Sequence, residues 1–317
     1  MSMKFLSPGL LTTVQDMGRF GGQQYGFSVS GVADPYSAQL ANILLGNDRS
    51  EAVLEMTLMG PIIEFIGPCV IAVTGADMGA LLNQKSFPLY QAVAVKNGDR
   101  ISFPTAKIGC RTYLAVAGGF DVPLVLKSRS TNLKCAIGGF KGRKLQAQDI
   151  LALKNEAILM LPDMQARTLS EEQLTAKTDR NIRIIPGPQE EYFTDEGLAA
   201  FYTQPYTVTP DNDRMGVKLD GTAIACHKTS DIISDGIPLG AVQIPSNGKP
   251  IIMLADRQTT GGYAKIGVVA SVDIPRIAQA KAGDRLLFEK ISVSKAQSLY
   301  RKTLKKYQYL EKRFRCK

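Results

Sequence analysis

Four polar clusters in this sequence combine glycine with side chains of fixed hydrogen-bonding geometry, the composition from which ligand-holding loops are built. The first is Thr12-Thr-Val-Gln-Asp16-Met-Gly18-Arg19, where a carboxylate and a guanidinium flank a glycine. Such a pair can aim the arginine fork at an anionic group, or simply close the turn as a local ion pair. The second, Lys127-Ser-Arg129-Ser130-Thr131, sets cations and hydroxyls together in a way that suits a carboxylate or phosphate, and equally suits a surface loop with no ligand. The third, Pro210-Asp-Asn-Asp213-Arg214-Met-Gly216, repeats the coupling of Asp, Arg and Gly. The fourth runs Leu254-Ala-Asp256-Arg257-Gln258-Thr259-Thr260-Gly261-Gly262-Tyr263. It can offer N–H and O–H donors to a carbonyl or carboxylate, with a polar turn as the alternative. Ser234-Asp235-Gly236 and Gly240-Ala-Val-Gln243 add donors just upstream.

Other chemistries are poorly served. The single histidine, His227, follows Cys226 directly, and neighbours on a strand point to opposite faces, so the two are poor partners for nucleophilic catalysis. Five scattered cysteines with no Cys-x-x-Cys pair argue against a disulfide framework, and with one histidine there is no metal set, so we expect none. Gly138-Gly-Phe-Lys-Gly-Arg-Lys144 has the wrong spacing for a P-loop and no hydroxyl after its lysine. Gly-x-Gly-x-x-Gly and a Met-Lys-Met biotin site are absent. Any ATP or biotin chemistry must use another mode or another chain.

The elements that must carry these clusters are mostly strands. Short apolar runs such as Cys69-Val-Ile-Ala-Val-Thr and Pro250-Ile-Ile-Met-Leu-Ala are cut by turn signals, with 29 Gly and 16 Pro as punctuation. Helices are predicted over 34–45, where Asp34 can cap and Pro35 opens the first turn, and over 189–201. The polar stretch 162–180 is the best boundary. Asn97-Gly98-Asp99-Arg100-Ile101-Ser102-Phe103 returns as Ala282-Gly283-Asp284-Arg285-Leu286-Leu287-Phe288, a faint repeat that chance would also give. The predicted organisation is a mainly β, β-rich α+β chain: a β-rich lobe over 1–162, a linker over 163–180, a second β-rich lobe over 181–289 and a basic amphipathic helix over 290–317.

With 317 residues, 44% hydrophobic and 21% charged, the chain can build a large core, and disorder is excluded. No apolar run of membrane-spanning length and no signal-like start is present, so a soluble cytoplasmic protein is expected, without membrane contact. The net charge of +9 is concentrated: residues 290–317 hold ten Lys and Arg against one acid, Glu311, and the remainder sums to zero. There Ala296, Leu299, Tyr300, Leu304, Tyr307, Leu310 and Phe314 recur at helical spacing. A docked C-terminal helix is the first reading, with a partner-binding face second; no nucleic-acid motif supports a third.

Taken together and in order, these clusters resemble the bacterial 5-oxoprolinase C subunits, also called Kip inhibitor antagonists, a family similar to part of the carboxyltransferase domain of urea carboxylase. The matching elements are Gly9-Leu-Leu-Thr-Thr-Val-Gln-Asp-Met-Gly-Arg19, Ala41-Asn-x-Leu-Leu-Gly46-Asn47, Val73-Thr-Gly-Ala-Asp77, Tyr113-Leu-Ala-Val-Ala-Gly-Gly-Phe120, Asp213-Arg-Met-Gly216 and Asp256-Arg-Gln-Thr-Thr-Gly-Gly-Tyr263, spread over about residues 9 to 288. Gly31-Val-Ala-Asp34 departs by carrying Ala33 where methionine is expected. The resemblance implies two cyclophilin-like β-barrel lobes. It also implies a B-like subunit of similar fold and an A subunit as partners in ATP-dependent hydrolysis of 5-oxo-L-proline to L-glutamate, with ATP held by this chain or by a partner chain and little activity in this chain alone. Two alternatives follow from the same family: a regulatory antagonist of a Kip-type histidine kinase inhibitor, and half of a biotin-dependent carboxyltransferase whose biotin rides on another chain. Under the first reading Asp16, Arg19, Asp213 and Arg214 are the expected catalytic residues. Arg129, Ser130, Gln243, Gln258, Thr259 and Thr260 are expected to bind substrate, the arginines clamping anions and the Gln and Thr side chains contacting the amide. No general base stands out.

Overall fold

Alternating apolar residues pair the short runs into antiparallel strands, and in the computed structural model, which describes residues 1–154, 166–170 and 181–314, the chain divides into two units. The first comprises Met1–Phe20, Ser30–Thr175 and Lys306–Lys317; the second comprises Gly21–Val29 and Ala176–Lys305. The predicted linker over 163–180 lies outside the described residues except for 166–170. There Arg167 is buried and its Nη1 donates to the Leu44 carbonyl at 2.9 Å, and Leu169 donates its N–H to the Tyr90 carbonyl, both within the first unit.

In the first unit a six-stranded sheet runs in the order Ile150–Ala152, Ser2–Ser7, Ile62–Ile66, Arg100–Ser102, Leu81–Leu82, Lys85–Ser86. A five-stranded sheet runs Leu11–Gln15, Val53–Thr57, Ile108–Val116, Cys69–Asp77, Ala92–Val95. Their inward residues, among them Met3, Phe5, Leu54, Phe65, Ile71 and Leu114, form one buried core. The second unit closes into a seven-stranded barrel in the order Asn181–Pro186, Lys265–Val269, Ala241–Gln243, Ile251–Met253, Gly216–Asp220, Tyr206–Asn212, Arg285–Lys290. The last strand pairs in parallel with the first, Ile182 opposite Phe288, and closure leaves the barrel without an exposed edge. Outside it, Asp231–Gly236 and Thr260–Tyr263 pair as a two-stranded ribbon. The expected fold class, mainly β with a C-terminal helix, holds; of the two barrel-like lobes expected, the second unit closes as a barrel, whereas the first is built on two sheets.

The short sequence repeat marks one turn made twice. At Asp99 the N–H donates to the Lys96 carbonyl while the carboxylate accepts from the Lys96 N–H; Asp284 does the same with Lys281. Gly98 and Gly283 stand at φ of 84° and 90°, a region open to glycine, and each donates its N–H to a strand carbonyl, that of Phe65 or Val208.

Helix α1, Pro35–Leu44, is capped by Asp34, whose Oδ1 accepts from Ser37 N at 2.9 Å, as its sequence predicts. The helix expected over 189–201 begins later. Glu190–Tyr192 is a 3₁₀ turn, Thr194 is extended and caps Gly197 N through its hydroxyl at 3.1 Å, and α2 spans Asp195–Thr203. A hydroxyl cap at Thr194 outcompetes continuation from Gln189. Helix α3 is Ile274–Ala278 and α4 is Val293–Phe314, with Arg315 to Lys317 outside the described residues. Only the last turns of α4 bury their stripe: Tyr307, Leu310 and Phe314 are covered within the first unit, where Arg49 stacks on Tyr307 and pairs with Glu311 at 2.6 Å. No described helix is long and apolar enough to cross a membrane.

Candidate functional site

The ten predicted residues fall into two groups, one in each unit. In the first unit Asp16 follows the strand Leu11–Gln15 and is nearly buried. Its Oδ1 accepts from Ser128 Oγ at 2.6 Å, Ser130 Oγ at 2.5 Å and Gly18 N at 2.8 Å, and its Oδ2 accepts from Arg129 N at 2.5 Å. Leu126 and Lys127, both left-handed, set up the bend that brings these donors round. Arg19 is fully buried and its Nη2 donates to the Ser130 carbonyl at 2.6 Å. Both Asp16 oxygens are thus taken up by Gly18 N and the 128–130 loop, and Arg19 reaches the same loop through the Ser130 carbonyl. Arg129 is half-buried, with Nε on the Val122 carbonyl at 3.2 Å.

The glycine-rich loop beside this nest also packs on protein. A Cβ on Gly138 would lie 2.1 Å from the Ser130 carbonyl oxygen and 2.6 Å from Arg19 Nη2; one on Gly142 would lie 2.0 Å from the Ala136 oxygen. These glycines exist to let backbone approach backbone, and nothing in that arrangement is a phosphate cradle.

In the second unit the loop after Ile251–Met253 is fastened along its length. Leu254 N donates to the Met215 carbonyl and Asp256 N to the Arg214 carbonyl, both at 2.8 Å. Arg214, 5% exposed, grips Asp256 with Nε on Oδ2 at 2.8 Å and Nη2 on Oδ1 at 3.2 Å. Asp213 is exposed and uses Oδ1 to accept from Met215 N and Gly216 N, closing the turn that presents Arg214. Ser28, in the Gly21–Val29 excursion, donates its hydroxyl to the Arg257 carbonyl at 2.8 Å.

This loop walls a cleft of about 300 Å³ at the root of the ribbon, lined by Gln23, Ser28, Val29, Gly236, Ile237, Pro238, Arg257, Gln258 and Thr259. All belong to the second unit. Gln258 and Thr259 thus reach a common concavity, whereas Thr260 begins the ribbon strand and is exposed, and Gln243 is buried in the barrel with Nε2 on the Tyr263 carbonyl at 3.3 Å. Nearby Lys265, 2% exposed, donates to Asp235 Oδ2 at 2.7 Å, and that hydrogen bond is the main cause holding the Asp235 carboxyl below its ordinary pKa. Arg257 donates Nε to the Ile237 carbonyl at 2.9 Å and Nη1 to the Leu254 carbonyl at 3.2 Å, and burial lowers its pKa. The lining holds no carboxylate, histidine or thiol, so it can bind and polarise a small polar molecule but has no proton acceptor of its own.

Residues 25–290 match the family described as carboxyltransferase domain, subdomain A and B. The chain belongs to this carboxyltransferase family. Within it, the chain is similar to the C subunit of the Escherichia coli (strain K12) 5-oxoprolinase, 35% identical over 294 residues that cover 93% of each chain. It is 36% identical to the C subunit of the Haemophilus influenzae enzyme over 291 residues, covering 92% of this chain and 91% of the relative. The crystal structure of the Kluyveromyces lactis urea carboxylase superposes with a TM-score of 0.89 at 30% identity, over 98% of this chain and 29% of the larger protein.

Sequence reasoning placed Ser128, Asp256 and Arg257 in its clusters without assigning them a role, and missed Ser28 altogether. Ser128 carried a signal, its spacing of two from Ser130, which sends both hydroxyls of an irregular loop to one acceptor. Ser28 carried none, since its partner lies 229 positions away. His227 is exposed, and its neighbour Cys226 has its thiol pushed up by burial, away from reactivity.

Proposed function

We propose that this carboxyltransferase-family chain is the C-type subunit of an ATP-dependent 5-oxoprolinase, which hydrolyses 5-oxo-L-proline to L-glutamate in the cytoplasm. The observation that carries the reading is collinearity: 35% identity extends over 93% of both this chain and the C subunit of the Escherichia coli 5-oxoprolinase, so the likeness is to a whole subunit. The cleft suits such a role. Gln258 and Thr259 offer an amide and a hydroxyl to a lactam, and the fixed loop holds them without reorganisation. Because the lining lacks a general base, the activation of water falls to partner chains, a B-like subunit and an A subunit, and the use of ATP is assigned to them as part of the same reading. The chain alone is therefore inactive.

The test is glutamate release from 5-oxoproline and ATP by this chain alone, with a B-like partner, and with both partners. Turnover only in the full mixture supports the reading; assembly without turnover removes it. The similarity to urea carboxylase, at a TM-score of 0.89, favours one second reading, a biotin-dependent carboxyltransferase half with biotin delivered by another chain. Carboxyl transfer from a biotinylated partner to a small amide, in place of glutamate release, would establish it.

A further inference from the structure

Two arginines far apart in sequence, Arg214 and Arg257, meet at one loop with opposite electrostatic fates. Arg214 is neutralised by Asp256 through two hydrogen bonds. Arg257, the next residue along from that aspartate, is held by two carbonyls, which carry no charge. Among the described residues no carboxylate pairs with Arg257, and its Nη2 makes no hydrogen bond to protein. A guanidinium taken partly out of water and left without a counter-charge is unfavourable, and an arriving anion relieves it.

The surroundings keep it in that state. Its Nε acceptor, Ile237, is itself tied to the loop by donating N–H to the Thr259 carbonyl at 3.0 Å, and Ser28 holds the Arg257 backbone from the other side. Swinging the fork to another partner would forfeit both of its carbonyl hydrogen bonds while the loop stayed in place. It lines the same cleft as Gln258 and Thr259, in which no acid is present.

We propose that Arg257 is the specificity-determining residue of this cleft, its Nη2 edge taking the carboxylate of a small lactam acid while Gln258 and Thr259 meet the amide. The inference rests on the hydrolase reading above and adds a selection rule: amides that bear a carboxylate are taken, and neutral amides such as urea or an unsubstituted lactam are discriminated against. Arg257 is a binding residue here and takes no part in proton transfer.

The test uses the assembled complex carrying the wild-type chain, Arg257→Gln or Arg257→Lys. Two quantities are read: KM and kcat for 5-oxo-L-proline, and the inhibition constant of 2-pyrrolidinone, the same lactam without its carboxylate. Loss of a charge-assisted contact predicts that Arg257→Gln raises KM about tenfold to a hundredfold, with kcat within about threefold and 2-pyrrolidinone inhibition unchanged. Arg257→Lys, which keeps the charge and loses the fork, falls between. An unchanged KM overturns the assignment while leaving the hydrolase reading intact. So does a parallel rise in KM and in the 2-pyrrolidinone constant, which is the mark of a collapsed cleft. If the wild-type complex itself releases no glutamate, the hydrolase reading fails and the selection rule falls with it.

Discussion

The two units carry polar clusters that look alike in sequence, Asp16-Met-Gly18-Arg19 and Asp213-Arg214-Met-Gly216, and spend them differently. In the first, both oxygens of Asp16 are occupied, chiefly by the 128–130 loop, and Arg19 is sealed inside. In the second, Arg214 and Asp256 satisfy each other and leave Arg257, Gln258 and Thr259 facing a cleft. The lesson is that an Asp/Arg/Gly signature reports a fixed loop, and that ligand binding depends on which polar groups remain once the loop has been fixed.

This contrast can be broken or sharpened by substitution. Gly138→Ala should be the most damaging change, because its Cβ meets a backbone oxygen at 2.1 Å and the residue sits at φ of 69°. We expect a loss of about 4 kcal/mol, read as a lowered denaturation midpoint by circular dichroism. Asp16→Asn comes next, at about 3 kcal/mol, since its amide NH₂ would face donors that have no other acceptor. If instead Asp16→Asn folded normally and abolished substrate binding, the first nest would be a binding site and the contrast would be wrong.

Arg214→Ala acts through its neighbour. It frees the Asp256 carboxylate beside Arg257, where the new internal ion pair should quench the anion site and raise KM for 5-oxoproline by about tenfold. Adding Asp256→Asn to Arg214→Ala should then recover part of that loss, which independent contributions would not do. Ser28→Ala removes one hydroxyl clasp and should cost about 1 kcal/mol, with a small rise in KM.

The smallest effect is acid-linked. Arg143 holds Asp149 bidentately, with oxygen distances of 2.6 and 2.8 Å, and this hydrogen bonding lowers the Asp149 pKa from its ordinary 3.8. A depressed carboxyl stabilises the fold above the unfolded pKa, and that contribution is lost as pH falls below it through the lowered folded value. Asp149→Asn should therefore flatten the stability profile below pH about 4, by under about 1 kcal/mol, and leave it parallel to wild type at pH 7.

Local signals made much of the fold legible. Asp34 before Pro35 announced α1, and the Gly-Asp turns before Arg100 and Arg285 announced one construction in both units, because each is built within four residues. The start of α2 was misplaced because Thr194, an ordinary mid-pattern residue by periodicity, acts as a cap. At the site, the four separate clusters that hold Asp16, Ser130, Arg214 and Gln258 were visible as composition, while their joining in pairs was not. Asp256 belongs to Arg214, 42 positions away, and no local rule distinguishes that from a partnership with the adjacent Arg257. Which charge stays uncompensated is a property of the folded barrel.

The Gly21–Val29 excursion has a consequence for heredity. Because the clasp on Arg257 comes from Ser28, which lies among residues of the first half of the gene, no single cut of the coding sequence yields a fragment holding the whole second unit and nothing else. Exchange of the Ala176–Lys305 segment alone would deliver the loop without its Ser28 clasp, held only by the bonds that the barrel itself supplies.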